Sequence, residues 1–287
     1  MKVKGPKRLR NLSLNSLAPN ILTLLALCAG LTSMRFALQE RWEPAVAAIL
    51  VAAVLDGLDG RLARLLKGAS KFGAELDSLS DFVCFGVAPA FLLYQWTLIS
   101  LGGIGWTLVL AYSVCCALRL ARFNTALEDP DQPAWASNFF AGVAAPAGAG
   151  LSMFFMVQHF QGWGEIFRSP YVNGAWLSVV AFLMVSKIPT FSFKRMHVRR
   201  DYILPTLVAV GIGAAVTISY PWLALTGLAI IYLATFPWAI RSHMLLTRQW
   251  RLQHAETAGA ATEPSTGSDT TDKPVEGADE DDEHTFH

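Results

Sequence analysis

Apolar residues in this chain run in long blocks, separated by short breaks that are polar or basic. Eight blocks approach the ~20 residues that a helix needs to cross a bilayer. They fall at 18–38, 45–65, 82–101, 104–123, 139–160, 172–191, 203–219 and 222–241. This pattern predicts an all-α fold, a polytopic membrane bundle of about eight transmembrane helices. The stretch MKVKGPKRLR before the first block resembles the start of a signal peptide. The apolar run is too long for one, however, and Leu25-Ala-Leu-Cys28 lacks the small residue that a lipoprotein signal needs before its cysteine. An uncleaved first helix is the expectation.

The breaks set an orientation. Lys2, Lys4, Lys7, Arg8 and Arg10 precede the first span. Arg61, Arg64, Lys67 and Lys71 follow the second, Arg119 and Arg122 the fourth, and Lys194, Arg195, Arg199 and Arg200 the sixth. The alternate loops carry little beyond Arg35, Arg41 and Arg168. Lys and Arg concentrate on the cytoplasmic side, so both termini are expected there. Residues 1–17 form a basic segment, read either as an interfacial helix or as a ragged helix start. Residues 18–241 form the membrane domain and 242–287 a cytoplasmic tail.

Composition sharpens this division. The chain is 53 % apolar with a mean hydropathy of +0.38, too hydrophobic for an ordinary soluble domain. Its net charge of +1 hides an asymmetry, because residues 256–287 hold ten of the 22 acids against the single base Lys273. That tail is expected to be disordered. The body is left basic, which suits contact with anionic headgroups or phosphates. Cys28, Cys84, Cys115 and Cys116 lie in apolar runs with no CxxC, and the six histidines form no HExxH, so zinc is unsupported. No phosphate-binding loop of the GxxxxGK[ST] type occurs, and nothing points to nucleic acid.

Against this background, Leu55–Asp81 is anomalous. Asp56 and Asp59 sit one turn apart at the end of the second span, and Asp77 and Asp81 sit one turn apart at the start of the third. A short connector holds the two pairs at one depth. One reading is a solvated loop paired with nearby bases, with helix dipoles accounting for Asp77 and Asp81. The other is a cation site. Asp56 directly follows VAAILVAAVL, where ionised groups are costly and mark function. Four clustered carboxylates repel one another unless a cation intervenes. All-oxygen ligands favour Mg²⁺, Mn²⁺ or Ca²⁺, and four aspartates suffice for two ions, the arrangement of phosphoryl displacement. Gly60 bares the backbone and Arg64 can grip a phosphate bidentately. Together these describe a diphosphate site at the membrane edge, for a substrate with a lipid end and a polar end.

The series Asp56, Asp59, Gly60, Ala63, Arg64, Gly73, Asp77 and Asp81 resembles the full signature of the CDP-alcohol phosphatidyltransferases. The resemblance implies a metal-dependent membrane enzyme that joins a CDP-linked donor to an alcohol and releases CMP, with the family fold in the first six helices. It implies that Asp56, Asp59 and Asp77 hold one metal (Mn²⁺ or Mg²⁺), that Asp56, Asp77 and Asp81 hold a second, and that Asp81 is the general base. Gly60, Arg64 and Ser70 would contact the diphosphate, with Gly73 near the nucleotide. Pro19, Asn20 and Thr23 are similar to the family's PNxxT element beside the cytidine.

Further stretches, LDSLSDFVCFGVAPAFLLY, ALRLARFN, FAGVAAPAGAG and SKIPTFSFK, resemble the integral-membrane phosphatidylserine synthase branch over about residues 15–240. This implies CDP-diacylglycerol and L-serine as substrates and a bacterial inner (cytoplasmic) membrane location with a cytoplasmic active site. Glycerol-3-phosphate, choline or inositol phosphate remain alternative acceptors. Arg119, Arg122 and Asn124 are read either as acceptor ligands or as positive-inside anchors. Lys187 either snorkels outward or points into the polar pocket. Dimerisation is allowed for, with no interface legible. A cation transporter would place acids at mid-bilayer in several helices, whereas these lie at one edge of two.

Overall fold

The computed structural model describes residues 14–68, 70–127, 139–186, 189–191, 211–213, 215–217 and 219–235. The N-terminal basic segment up to residue 13, Lys187, most of the seventh expected span and the acidic tail lie outside the described residues.

The first two helices follow the apolar pattern closely. Helix α1 spans Leu14–Leu38 and α2 spans Trp42–Leu65. They pack antiparallel through small and branched residues, with Ala26, Ala37, Ala45, Val46, Ile49 and Ala52 almost fully buried. Small side chains let helix backbones approach closely where lipid supplies no hydrophobic drive. Helix α2 closes in a Schellman turn, with Gly68 N–H on Ala63 O (2.9 Å) and Lys67 N–H on Arg64 O (3.3 Å). Lys67 takes the left-handed position of that turn at φ 50°.

The third element corrects the expected boundary at residue 82. Helix α3 starts at Lys71 and runs to Asp81. It continues without interruption through a π-helical turn, Phe82–Val87, into α4, Ala88–Trp96. The wide turn has a local cause. Pro89 has no N–H for the carbonyl of Phe85, four residues back. That oxygen accepts instead from the Tyr112 hydroxyl at 3.0 Å, and Gly86 O accepts from Ser113 Oγ at 3.0 Å. Both donors lie on α5, Gly103–Leu127.

The fifth expected span, 139–160, is also corrected. It comprises a strand β1 (Phe139–Ala141), a turn, and two short helices, α6 (Ala145–Ser152) and α7 (Phe154–Phe160). Gly142 turns the chain at φ 81°, and a Cβ there would meet Met184 O at 2.5 Å. Helix α8 covers Pro170–Val185, and strand β2 (Pro189–Phe191) pairs antiparallel with β1. Helix α9 covers Pro221–Thr235. Apart from this three-residue ribbon, the described fold is helical.

Among the described residues, three helical stretches are long and apolar enough to cross a membrane: Leu17–Leu38, Lys71–Trp96 and Gly103–Thr125. Leu24, Leu25, Leu31, Val51, Val54, Leu110, Val114, Leu118 and Phe182 are exposed on the flanks of the helices. An apolar surface of that extent belongs against lipid.

Candidate active site

The end of α2, the start of α3 and the start of α1 meet at one end of the bundle. There, one carboxylate oxygen from each of Asp56, Asp59 and Asp77 lies within 4.8 Å of the others. Asp59 is buried, at 4 % exposure. Its Oδ2 accepts from Thr23 Oγ1 at 2.6 Å, and that hydroxyl also lies 3.1 Å from Pro19 O. Ser80 Oγ donates to Thr23 O at 3.2 Å. Thr23 thus joins α1 to α2 by its side chain and to α3 by its backbone.

Asp81 stands beside Asp56, close enough for the two carboxylates to interact. Its Oδ1 is shielded from solvent and has no hydrogen-bond partner. Arg119 of α5 is buried and close enough to Asp81 to interact electrostatically. Its guanidinium lies over the Phe123 ring, 5.9 Å from the centroid, and its Nε has no hydrogen-bond partner. Buried polar atoms are rarely left unsatisfied, and an unbound ligand or ion is one standard reason.

The helix-dipole reading of Asp77 and Asp81 does not survive this geometry. With α3 beginning at Lys71, the two aspartates lie about two and three turns inside it, and the dipole acts within the first turn. The N-terminus of α3 is capped by Ser70, whose Oγ accepts from Gly73 N–H at 3.0 Å.

A cavity of about 150 Å³ opens beside the carboxylates. Pro19, Asn20, Thr23, Gly60, Ala63, Ser70 and Gly73 all line it, together with Asp59 and Asp77. Arg64 does not; its side chain is exposed and its Nε donates to Gly60 O at 3.0 Å. The two signature glycines differ in kind. A Cβ on Gly73 would meet Asn20 Oδ1 at 2.9 Å and Ser70 Oγ at 3.1 Å, so a larger residue there would push on the two side chains that shape the cavity. A Cβ on Gly60 would meet nothing within 4 Å. Protein packing gives no reason for a glycine there, which leaves room for a ligand against the backbone.

The expected acceptor residues separate. Arg122 donates from Nη1 to Val185 O (2.9 Å) and from Nη2 to Ser186 O (3.3 Å), at the C-terminus of α8. Asn124 Nδ2 donates to Ser78 Oγ at 2.9 Å, tying α5 to the aspartate helix. Ser78 and Ser80 were not singled out from the sequence. Their signal is the alternation Asp77-Ser78-Leu79-Ser80-Asp81, which puts small polar groups between two acids on a helix otherwise facing lipid or core.

The donor set fits a hard divalent cation. All the converging groups are carboxylates, and the orphaned Asp81 Oδ1 is an oxygen acceptor in want of a partner.

The chain matches the CDP-alcohol phosphatidyltransferase family over residues 16–236, and it belongs to that family. It is 40 % identical over 255 residues to a Mycobacterium tuberculosis protein named CDP-diacylglycerol–serine O-phosphatidyltransferase, covering 88 % of this chain and 85 % of the relative. A Mycobacterium leprae protein of the same name is also 40 % identical, over 88 % of this chain and 81 % of the relative. A Bacillus subtilis protein of that name is 33 % identical over 177 residues, 62 % of this chain and 91 % of the relative. The family is divalent-metal dependent, and this chain carries the aspartate cluster that such dependence requires.

Proposed function

We propose that the protein transfers the phosphatidyl group of CDP-diacylglycerol to the hydroxyl of L-serine, forming phosphatidylserine and CMP. The observation that carries this reading is the pairing of a converged carboxylate cluster with a lined cavity at one end of a lipid-facing bundle. The serine preference is supported by the names of the relatives.

Asp56, Asp59 and Asp77 would hold one divalent ion, and Asp56, Asp77 and Asp81 a second, Mn²⁺ or Mg²⁺ in each case. Bound there, the ions supply neutralising charge to the diphosphate oxygens. The cavity takes the CDP portion: Asn20 and Gly73 shape its wall, Gly60 lets the diphosphate approach the backbone, and Arg64 swings from Gly60 O to contact phosphate. The acyl chains remain in lipid. Asp81 would hold the second ion by one carboxylate oxygen and accept the proton of the serine hydroxyl on the other. The hydroxyl oxygen forms a bond to the β-phosphorus as the bond to CMP breaks, and CMP leaves as the anion. Arg119, buried beside Asp81, is placed to receive the serine carboxylate. Arg122 and Asn124 act by holding α5 against α8 and α3.

The protein is multi-pass in the bacterial inner membrane, with both termini and this site on the cytoplasmic side. The basic loops that flank the aspartate end support that orientation.

The deciding experiment supplies the purified protein with CDP-diacylglycerol, Mn²⁺ or Mg²⁺, and one alcohol at a time, and follows CMP release. Serine is expected to give the fastest release, and Asp81→Asn to abolish it while retaining CDP-diacylglycerol binding. Faster release with glycerol-3-phosphate, choline or inositol phosphate would reassign the acceptor. Near-normal turnover in Asp81→Asn would remove it as the base.

A further inference from the structure

Two of the three arginines that break the charge pattern converge. Arg35, Arg41 and Arg168 are the bases on the sparsely charged side of the membrane. Arg41 and Arg168, far apart in sequence, line one cavity of about 320 Å³ together with Trp42, Trp96 and His159. It lies at the opposite end of α2 from the aspartates. From Trp42 to Asp59 the helix rises about 26 Å, close to the ~30 Å of the hydrocarbon core. The cavity therefore sits at the other membrane interface, where tryptophans anchor.

Both arginines are held in place by their backbones and left open at their side chains. Arg41 N–H donates to Phe36 O (3.0 Å), and Ala45 N–H donates to Arg41 O (3.1 Å). Its guanidinium rests over the Phe36 ring, 5.1 Å from the centroid. Arg168 O accepts from Thr97 Oγ1 at 2.8 Å. The buried Asn173 fixes the same turn through Phe167 O (2.7 Å) and Ser169 O (2.9 Å). His159 is set against Trp96, with ring centroids 5.7 Å apart. Glu43 also lines the cavity, yet among the described residues no ion pair joins it to either arginine. Two guanidiniums that line one cavity at headgroup depth, neither of them ion-paired to Glu43, match a phosphodiester.

We propose that this cavity binds the phosphate of an anionic phospholipid in the leaflet opposite the active site. The site is independent of the acceptor assignment and needs only that the bundle spans the membrane.

The test is native mass spectrometry of the delipidated full-length protein, with phosphatidylglycerol added back. Wild type and Arg35→Gln, which loses the same charge outside the cavity, should retain equal numbers of lipids. Arg41→Gln/Arg168→Gln should retain one fewer on average, with CMP release unchanged. If that double variant is poorly folded, Arg168→Gln alone should lower the occupancy of that lipid at least 5-fold. Equal retention across all variants would overturn the proposal. So would displacement of that lipid by millimolar inorganic phosphate, which would make the cavity a site for free phosphate.

Discussion

Thr23 shows how much one hydroxyl can govern. It makes the 2.6 Å bond to Asp59 in a buried setting, where a hydrogen bond to a charged group contributes about 1.5–3 kcal/mol. Groups that orient a ligand carboxylate typically alter metal affinity or activity by ~10–100-fold. Thr23→Val keeps the shape and removes the donor. It should raise the metal concentration for half-maximal CMP release about tenfold or more, with Thr23→Ser near wild type. An unchanged metal dependence in the valine variant would show that the bond does not tune the site. The role of Thr23 as a partner of Asp59 was not legible in the sequence, where it appeared only as part of a nucleotide element. The bond spans 36 residues and exists because α1 and α2 pack antiparallel. The aspartates themselves were legible, since acids one turn apart beside a long apolar run are too costly to keep unless a cation offsets their charge.

At the scale of elements, the sequence pattern located α1, α2 and α5 to within a few residues, because each is one uninterrupted apolar block ended by charge. It failed where polarity and helix part company. Residues 65–75 are polar enough to read as a connector, yet from Lys71 on they are already the opening turn of a helix capped by Ser70. Residues 139–160 are apolar enough to read as a span, yet Gly142, at φ 81°, turns the chain out of any continuous helix. The π-helical turn after Asp81 was also invisible, since its cause combines a local proline with a tyrosine on α5. Tyr112→Phe leaves the Phe85 carbonyl unsatisfied and buried. It should cost about 1–3 kcal/mol of stability, read as a lowered midpoint of thermal unfolding in detergent. A variant as stable as wild type would mean that the turn does not depend on that bond.

For the whole molecule, the scaffold and the chemistry are separable. The core is apolar and the helices near the site are joined by Thr23, Ser80 and Asn124, none of which requires an ion. Chelation with EDTA should therefore abolish CMP release while leaving far-ultraviolet circular dichroism unchanged, and Mn²⁺ or Mg²⁺ should restore turnover. Loss of helicity on chelation would show that the metal is part of the scaffold.

The joint made by Thr23 also bears on how the protein is born. The four aspartates, the cavity wall and the residues that orient them all lie between Pro19 and Asp81. The ribosome delivers that stretch before Arg119, the ribbon or the last helices exist. None of these contacts needs a residue beyond Asp81, so the reaction centre is expected to take shape during insertion. The later helices would then close around a site already assembled.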